Sequence, residues 1–187
     1  AATAVDGGLA AFGLSLRDPG RTVRIGLGTL VFVVPAAFLT LAVCGWLARL
    51  LGFETPAVAH EGLNQILAAP LAIRVSFIAM AAVAAPLVEE TAFRGMMQTA
   101  LRQGGLTPGP WSAILIVSAL FTAIHLPALT TYVALPGLFV LAVGLGYAYE
   151  KTGSLWPPIV IHAVFNGANL AAVLLEMVPR ESVGGGG

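Results

Sequence analysis

The stretch PLVEETAFRG, residues 86–95, places Glu89, Glu90 and Arg94 at the end of a long apolar run. A charged side chain at the centre of a bilayer costs about 3 kcal/mol on insertion scales, so ionisable groups inside a membrane are functional candidates. Glu90 and Arg94 have i, i+4 spacing and are predicted to pair on one helix face. Glu89 points about 100° away from that face, which leaves it free for another partner.

Three more polar residues are predicted to lie near the depth of Glu89. At about 1.5 Å per residue, Glu89 and His125 each lie about 21 Å from the turn at 104–110 that joins their helices. His162 and Asn166 lie roughly 12 to 18 Å from the same face, and their i, i+4 spacing puts them on one side of their helix. We therefore expect three helices to bring these polar groups into a central polar cavity.

The types of these four residues suit hydrolysis of an acyl group. Glu89 in an apolar surround, with His125 beside it, can take a proton from water. His162 and the amide of Asn166 can donate hydrogen bonds to a developing oxyanion. The nucleophile is then water, and Cys44, on a different helix, is not needed.

Two alternatives use the same residues. Glu89, His125 and His162 are also a set that can bind zinc, with the attacking water on the metal. Against it, the usual two-histidine helical motif is absent, because HEGLN at His60 has no second histidine at i+4. We therefore expect no cofactor, with zinc as the alternative. Buried acids and histidines also occur in non-catalytic transport or immunity proteins, but no paired half-repeats indicate a carrier.

The composition indicates a polytopic membrane protein. Hydrophobic residues make up 58% and charged residues 10% of the 187 residues, with a mean hydropathy of +0.91, whereas soluble domains are about half apolar and a quarter charged. The predicted fold class is all-α, a bundle of about five to six membrane helices. Nine basic and nine acidic residues give a net charge of zero, so nothing indicates a nucleic-acid partner. The single cysteine excludes an internal disulfide.

Apolar runs and turn residues divide the chain into elements. We expect helices at 25–48, 70–102, 111–126, 132–149 and 156–178, and a polar loop at 49–66 that contains His60. As domains, residues 1–24 are predicted to be an N-terminal surface segment, 25–180 a single transmembrane domain, and 181–187 a flexible tail. No cleavable signal is visible. Pairs of small residues, Ala142 with Gly146 and Gly167 with Ala171, predict close contacts between helices.

Basic residues are distributed unevenly between the two faces of this topology. The positive-inside rule assigns the face with more of them to the cytosol. That face carries Arg17, Arg21, Arg24, Arg102 and Lys151, and the other carries Arg49, Arg74 and Arg180.

Three motifs occur in order on successive hydrophobic helices. EETAFR has the pattern E-E-x-x-x-R, FTAIH, from Phe121 to His125, is F-x-x-x-H, and HAVFN, from His162 to Asn166, is H-x-x-x-N. In this order they resemble the CPBP family of intramembrane proteases, the CAAX proteases and bacteriocin-processing or Abi proteins. The similarity covers roughly residues 70–175 and implies an intramembrane endopeptidase.

The resemblance also implies roles for individual residues. Glu89 would activate water together with His125, and His162 with Asn166 would stabilise the oxyanion. Glu90 and Arg94 would be the supporting pair. Independently of the resemblance, Phe121 is predicted from its helical spacing to support the site as a packing residue.

The expected substrate is a peptide or a membrane protein, cleaved near the cytosolic face of the bilayer. We expect an integral protein of a prokaryotic plasma membrane, because the chain is rich in Ala, Gly, Val and Pro, with an active site that opens toward the cytosol.

Overall fold

The computed structural model of the chain describes residues 13–14, 18–53, 69–126 and 132–176, with side chains as far as residue 172. The described residues form a bundle of five helices, and the predicted all-α fold class is confirmed. The helices are α1 (Pro19–Leu50), α2 (Leu71–Gln103), α3 (Pro110–Ile124), α4 (Leu135–Thr152) and α5 (Trp156–Glu176). A short 3-10 helix, Tyr132–Ala134, leads into α4.

Within the described residues, three helical segments are long and apolar enough to cross a membrane. They are Pro19–Leu50, Leu71–Gln103 and Tyr132–Thr152, and Pro110–Ile124 is a shorter apolar helix. The lengths agree with a bundle built for a bilayer, since a crossing needs about 20 apolar residues.

The first helix begins earlier than its hydropathy predicts. Asp18 caps it, because its Oδ1 accepts a hydrogen bond from the Arg21 N–H at 3.0 Å, and Pro19 occupies the first helical turn, where its missing N–H costs nothing. The helix starts at Pro19 rather than near Ile25 and runs on to Leu50, into the predicted loop. His60 and Glu61 of that loop lie outside the described residues.

The second helix is not a uniform α-helix. Two π-helical segments, Met80–Ala84 and Thr91–Gln98, interrupt it. The first lies just before Pro86, which has no N–H to bond to the carbonyl four residues earlier. The second begins directly after Glu90. Each π segment changes the angular position of the residues that follow it, so α2 carries its polar residues in an orientation that simple 3.6-residue counting does not give.

The fourth helix packs closely against α1 through glycines. A Cβ atom at Gly137 would lie 2.8 Å from the Ala37 carbonyl oxygen, and one at Gly144 would overlap Val33. The later α4 residue, Gly144, contacts the earlier α1 residue, Val33, so the two helices are antiparallel. Beside these contacts a fully buried core forms from Leu141 and Leu145 of α4 together with residues of α1 and α5.

Only one of the two predicted pairs of small residues makes a close contact. Ala142 is fully buried, and a Cβ atom at Gly146 would lie 3.0 Å from Gln98 Oε1. A Cβ atom at Gly167 would have no described atom outside its own helix backbone within 4 Å. The prediction for Gly167 and Ala171 as a contact surface is therefore wrong at Gly167, because α5 turns that side of its helix away from its described neighbours.

Candidate active site

Glu90 is fully buried. It lies at the centre of a group of polar side chains, Glu89, Glu90, Arg94 and His162, which we call the polar cluster. Its Oε1 accepts a hydrogen bond from Arg94 Nη1 at 2.8 Å, which is the predicted i, i+4 ion pair. His162 Nδ1, from α5, lies 2.8 Å from the same oxygen. An ionised carboxylate only accepts hydrogen bonds, so the proton is on Nδ1 of His162. Glu90 thus joins α2 to α5 and sets the direction of the imidazole.

Glu89 lies on the other side of the same imidazole. Its Oε2 is 3.8 Å from His162 Nε2, longer than a hydrogen bond. This oxygen is buried and has no hydrogen-bond partner in the described part of the chain, while 27% of the side chain is exposed. Within the described residues, Glu89 therefore approaches the imidazole of His162 without making a hydrogen bond to it.

His125 lies at the C-terminal end of α3. Its Nδ1 is 2.7 Å from the backbone oxygen of Phe121. A carbonyl only accepts hydrogen bonds, so Nδ1 carries the proton and Nε2 of the neutral ring has a free lone pair. His125 is therefore held by its own helix in the tautomer that a general base needs.

Phe121 holds the two histidines and the arginine at one level. Its fully buried ring has its centroid 4.7 Å from that of His125 and 5.6 Å, edge-on, from that of His162. The Arg94 guanidinium lies over the same ring at 4.8 Å, a cation–π contact. Phe93 of α2 packs edge-on against it at 5.1 Å. Two imidazoles from different helices therefore surround one phenyl ring.

Asn166 has a half-buried amide with one of its donors already engaged. Its Nδ2 donates to the Ala81 carbonyl oxygen at 2.9 Å, in the first π segment of α2. A carboxamide has two N–H donors, so this bond leaves one for another acceptor. The described structure places Asn166 one turn beyond His162 and ties α5 to α2 there.

The metal alternative needs Glu89, His125 and His162 close together. In the part of the chain that the structure describes, no group of three or more His, Cys, Asp or Glu side chains is placed to hold a metal ion. These three residues do not form such a set here, and the zinc alternative stays a prediction that no observation favours.

The polar residues of α2 continue beyond the cluster at every fourth position, as Gln98 and Arg102. We call their contacts with α4 the polar seam. Arg94 Nη2 donates to the Ala142 carbonyl oxygen at 3.0 Å, and Gln98 Nε2 donates to the Gly146 carbonyl oxygen at 3.1 Å. Gln98 is fully buried. From the first bond to the second, both partners move four residues toward the C-terminus, so α2 and α4 are parallel neighbours.

The seam ends in a partly exposed ion pair. Arg102 Nε donates to Glu150 Oε1 at 3.0 Å, and Thr99 Oγ1 lies 2.8 Å from the Tyr149 hydroxyl oxygen. Sequence reasoning missed Gln98 and the seam. The signal that identifies them is the i, i+4 series that starts at Glu90 and Arg94, and it extends the predicted supporting pair into a structure that holds α2 against α4.

The fold and the cluster together define a membrane-spanning helical bundle built around buried glutamates and histidines. The sequence model of the Type II CAAX prenyl endopeptidase Rce1-like family matches residues 71–168, more than half of the chain and all three motifs, and the chain belongs to this family. Membership confirms the CPBP resemblance and makes the chain an integral membrane protein of a protease family. No curated protein and no solved structure matches the chain.

Proposed function

We propose that the protein is an intramembrane endopeptidase that hydrolyses a peptide bond with a water activated by Glu89 and His125. The observation that carries this assignment is the position of His162 between two carboxylates, with Nδ1 on Glu90 and Nε2 toward Glu89. A purely structural ion pair needs Glu90 and Arg94 alone. Glu89 is 27% exposed, whereas Glu90 is fully buried and hydrogen-bonded to both Arg94 and His162, so Glu89 is the carboxylate that water can reach.

The first step uses the two groups that can accept a proton. Glu89 takes one proton from water while the water oxygen bonds to the scissile carbonyl carbon. His125 accepts a hydrogen bond from the second water proton through Nε2, because its Nδ1 donates to Phe121. General base catalysis of this kind contributes about 10²- to 10⁴-fold.

The resulting oxyanion needs hydrogen-bond donors. His162 Nε2 donates when the ring carries both protons, and the second N–H of Asn166 donates beside it. The C–N bond then breaks, the electron pair goes to the nitrogen, and Glu89 returns its proton there. The products are a carboxylic acid and an amine. Glu90 and Arg94 touch no reacting atom in this scheme and orient His162.

The expected substrate is a peptide or a membrane protein whose scissile bond reaches the site from the cytosolic side. The family description makes a prenylated CAAX peptide the first substrate to test. The excess of basic residues at the ends of α1, α2 and α4 nearest the 104–110 turn supports the cytosolic assignment of that face.

The test measures cleavage of a quenched, prenylated CAAX peptide by the purified full chain in proteoliposomes. Wild type should cleave it and Glu89→Gln should not. Asp18→Asn is the matched control, because it makes the same carboxylate-to-amide change at the α1 cap and should cleave like wild type. Equal rates for Glu89→Gln and wild type would refute the mechanism.

Two further measurements widen the test. Membrane proteomes of cells that express wild type or Glu89→Gln would show whether any peptide is released only by the former. Metal analysis of active protein, with chelation and rescue, separates the metal-free reaction from the zinc alternative at Glu89, His125 and His162.

A further inference from the structure

A groove of about 310 Å³ lies between α1 and α4. A Cβ atom at Gly28 would find no neighbouring atom within 4 Å, so the glycine leaves the wall open there. The groove is lined by Ile25, Gly28, Thr29, Phe32, Val33 and Tyr147. Most of the lining comes from α1, which lies outside the residues matched by the family. None of the lining residues belongs to the polar cluster, so the groove is a separate site.

The shape and chemistry of the groove fit a chain-like apolar ligand. Among the lining residues, Thr29 and Tyr147 have polar side chains, and Phe32 is largely exposed. From Ile25 to Phe32 the groove follows α1 for about 10 Å. Both walls belong to segments long and apolar enough to cross a membrane, so the occupant comes from the bilayer.

One end of the groove carries a positive charge from each wall. Lys151 lies one turn beyond Tyr147, and its Nζ is 5.7 Å from the centroid of the Tyr147 ring. Arg21 lies one turn before Ile25 on α1 and is exposed. Because α1 and α4 are antiparallel, both cations are at the same end. The carboxylate of Asp18, which caps α1 through Oδ1, contributes one negative charge at this end.

The remaining charges at this end leave it positive. Glu150, the neighbour of Lys151, is paired with Arg102 at 2.9 Å, and Arg24 adds an exposed cation on α1. Trp111 stacks on Tyr147 at 6.1 Å, and tryptophan and tyrosine are typical of the headgroup level of a membrane. The charged end therefore lies among headgroups, and the Phe32 end lies in the hydrocarbon.

We propose that this groove binds one anionic phospholipid, with an acyl chain along Ile25 to Phe32 and the phosphate beside Lys151 and Arg21. Charge complementarity favours an anionic lipid over a zwitterionic one, because a zwitterionic headgroup would bring its own positive charge close to Lys151 and Arg21. Two basic residues near the surface predict a preference of roughly tenfold or more over a zwitterionic lipid.

The test is native mass spectrometry of the purified full chain, titrated with phosphatidylglycerol or with phosphatidylcholine of identical acyl chains. Wild type should retain phosphatidylglycerol at roughly tenfold lower concentration. The double variant Arg21→Gln, Lys151→Gln should lose most of this preference. Arg74→Gln removes a cation from the opposite end of the bundle and should keep the wild-type preference.

A second variant tests the apolar part of the site. Gly28→Leu places a side chain in the groove and should reduce retention of phosphatidylglycerol about tenfold, whereas Ala42→Leu, at an exposed position later on α1, should not. Equal retention of the two lipids by wild type, or a preference that persists undiminished in the double variant, would overturn the site. Full retention by a folded Gly28→Leu would also overturn it. If Gly28→Leu does not fold, the charge variants still test whether the groove binds an anionic lipid.

Discussion

His162 Nδ1 lies 2.8 Å from Oε1 of Glu90, the same oxygen that accepts the hydrogen bond from Arg94. A single buried carboxylate therefore joins an arginine of its own helix to an imidazole from α5. The contact aims Nε2 of His162 at Glu89, 3.8 Å away. Adjacent glutamates thus have different surroundings: Glu90 is fully buried and twice hydrogen-bonded, and Glu89 is partly exposed and makes no hydrogen bond to the described residues.

Removing the charge of Glu90 should destabilise the fold strongly. Glu90→Gln leaves the buried Arg94 without its hydrogen-bonded counter-ion, and breaking a buried pair costs about 3 to 5 kcal/mol. The measurement is the free energy of unfolding, or Tm, in detergent. Glu150→Gln is the control, because its pair with Arg102 is partly exposed and such pairs contribute about 1 kcal/mol or less. Similar losses in the two variants would mean that the cluster is not a buried unit.

Removing the charge of Glu89 should act on turnover and not on stability. Its carboxylate makes no hydrogen bond to the described residues, so Glu89→Gln should change the free energy of unfolding by about 0.5 kcal/mol or less. Cleavage should fall by at least about 10²-fold. Both quantities are measured on one purified sample. A large loss of stability would show that Glu89 holds the structure together and would remove the basis for its assignment as a base.

Asn166→Ala should lower kcat by about 10²-fold if the amide donates to the oxyanion. It also loses the bond to Ala81, which should cost about 1 kcal/mol of stability. Asn169→Ala is the matched control on the same helix, because among the described residues Asn169 donates to the Phe165 carbonyl oxygen of its own helix. It should leave kcat unchanged. Unchanged kcat for Asn166→Ala would mean that the side chain only links α5 to α2 through its bond to Ala81.

The space around two glycines predicts opposite effects for their substitution. A Cβ atom at Gly146 would lie 3.0 Å from Gln98 Oε1 and from Ile114 Cγ2, so Gly146→Ala should destabilise the protein by about 1 to 3 kcal/mol. Gly167→Ala meets open space and should stabilise α5 by about 0.5 to 1 kcal/mol, since glycine is the poorer helix former. Thermal unfolding of the two variants measures both. A neutral Gly146→Ala would show that α2 and α4 are not in close contact there.

Properties that depend on a single segment of the chain, such as its hydropathy or the spacing of residues within one helix, were predictable from the sequence. Hydropathy predicted the helices, because burial in a bilayer needs long apolar runs whatever the tertiary contacts. The i, i+4 rule predicted the pair of Glu90 with Arg94 because both residues lie on one helix. The first helix boundary was less accurate, since the cap at Asp18 moved it ahead of the apolar run.

By itself the sequence determined the membrane class, the order of the three motifs and the contacts within each helix. Only the tertiary structure decided that His162 bonds Glu90 rather than Glu89, that Asn166 engages Ala81, and that Gln98 reaches Gly146. These contacts depend on how far each helix is rotated about its axis. Two π segments set that rotation in α2, and no residue spacing within a single helix encodes the rotation of its neighbour.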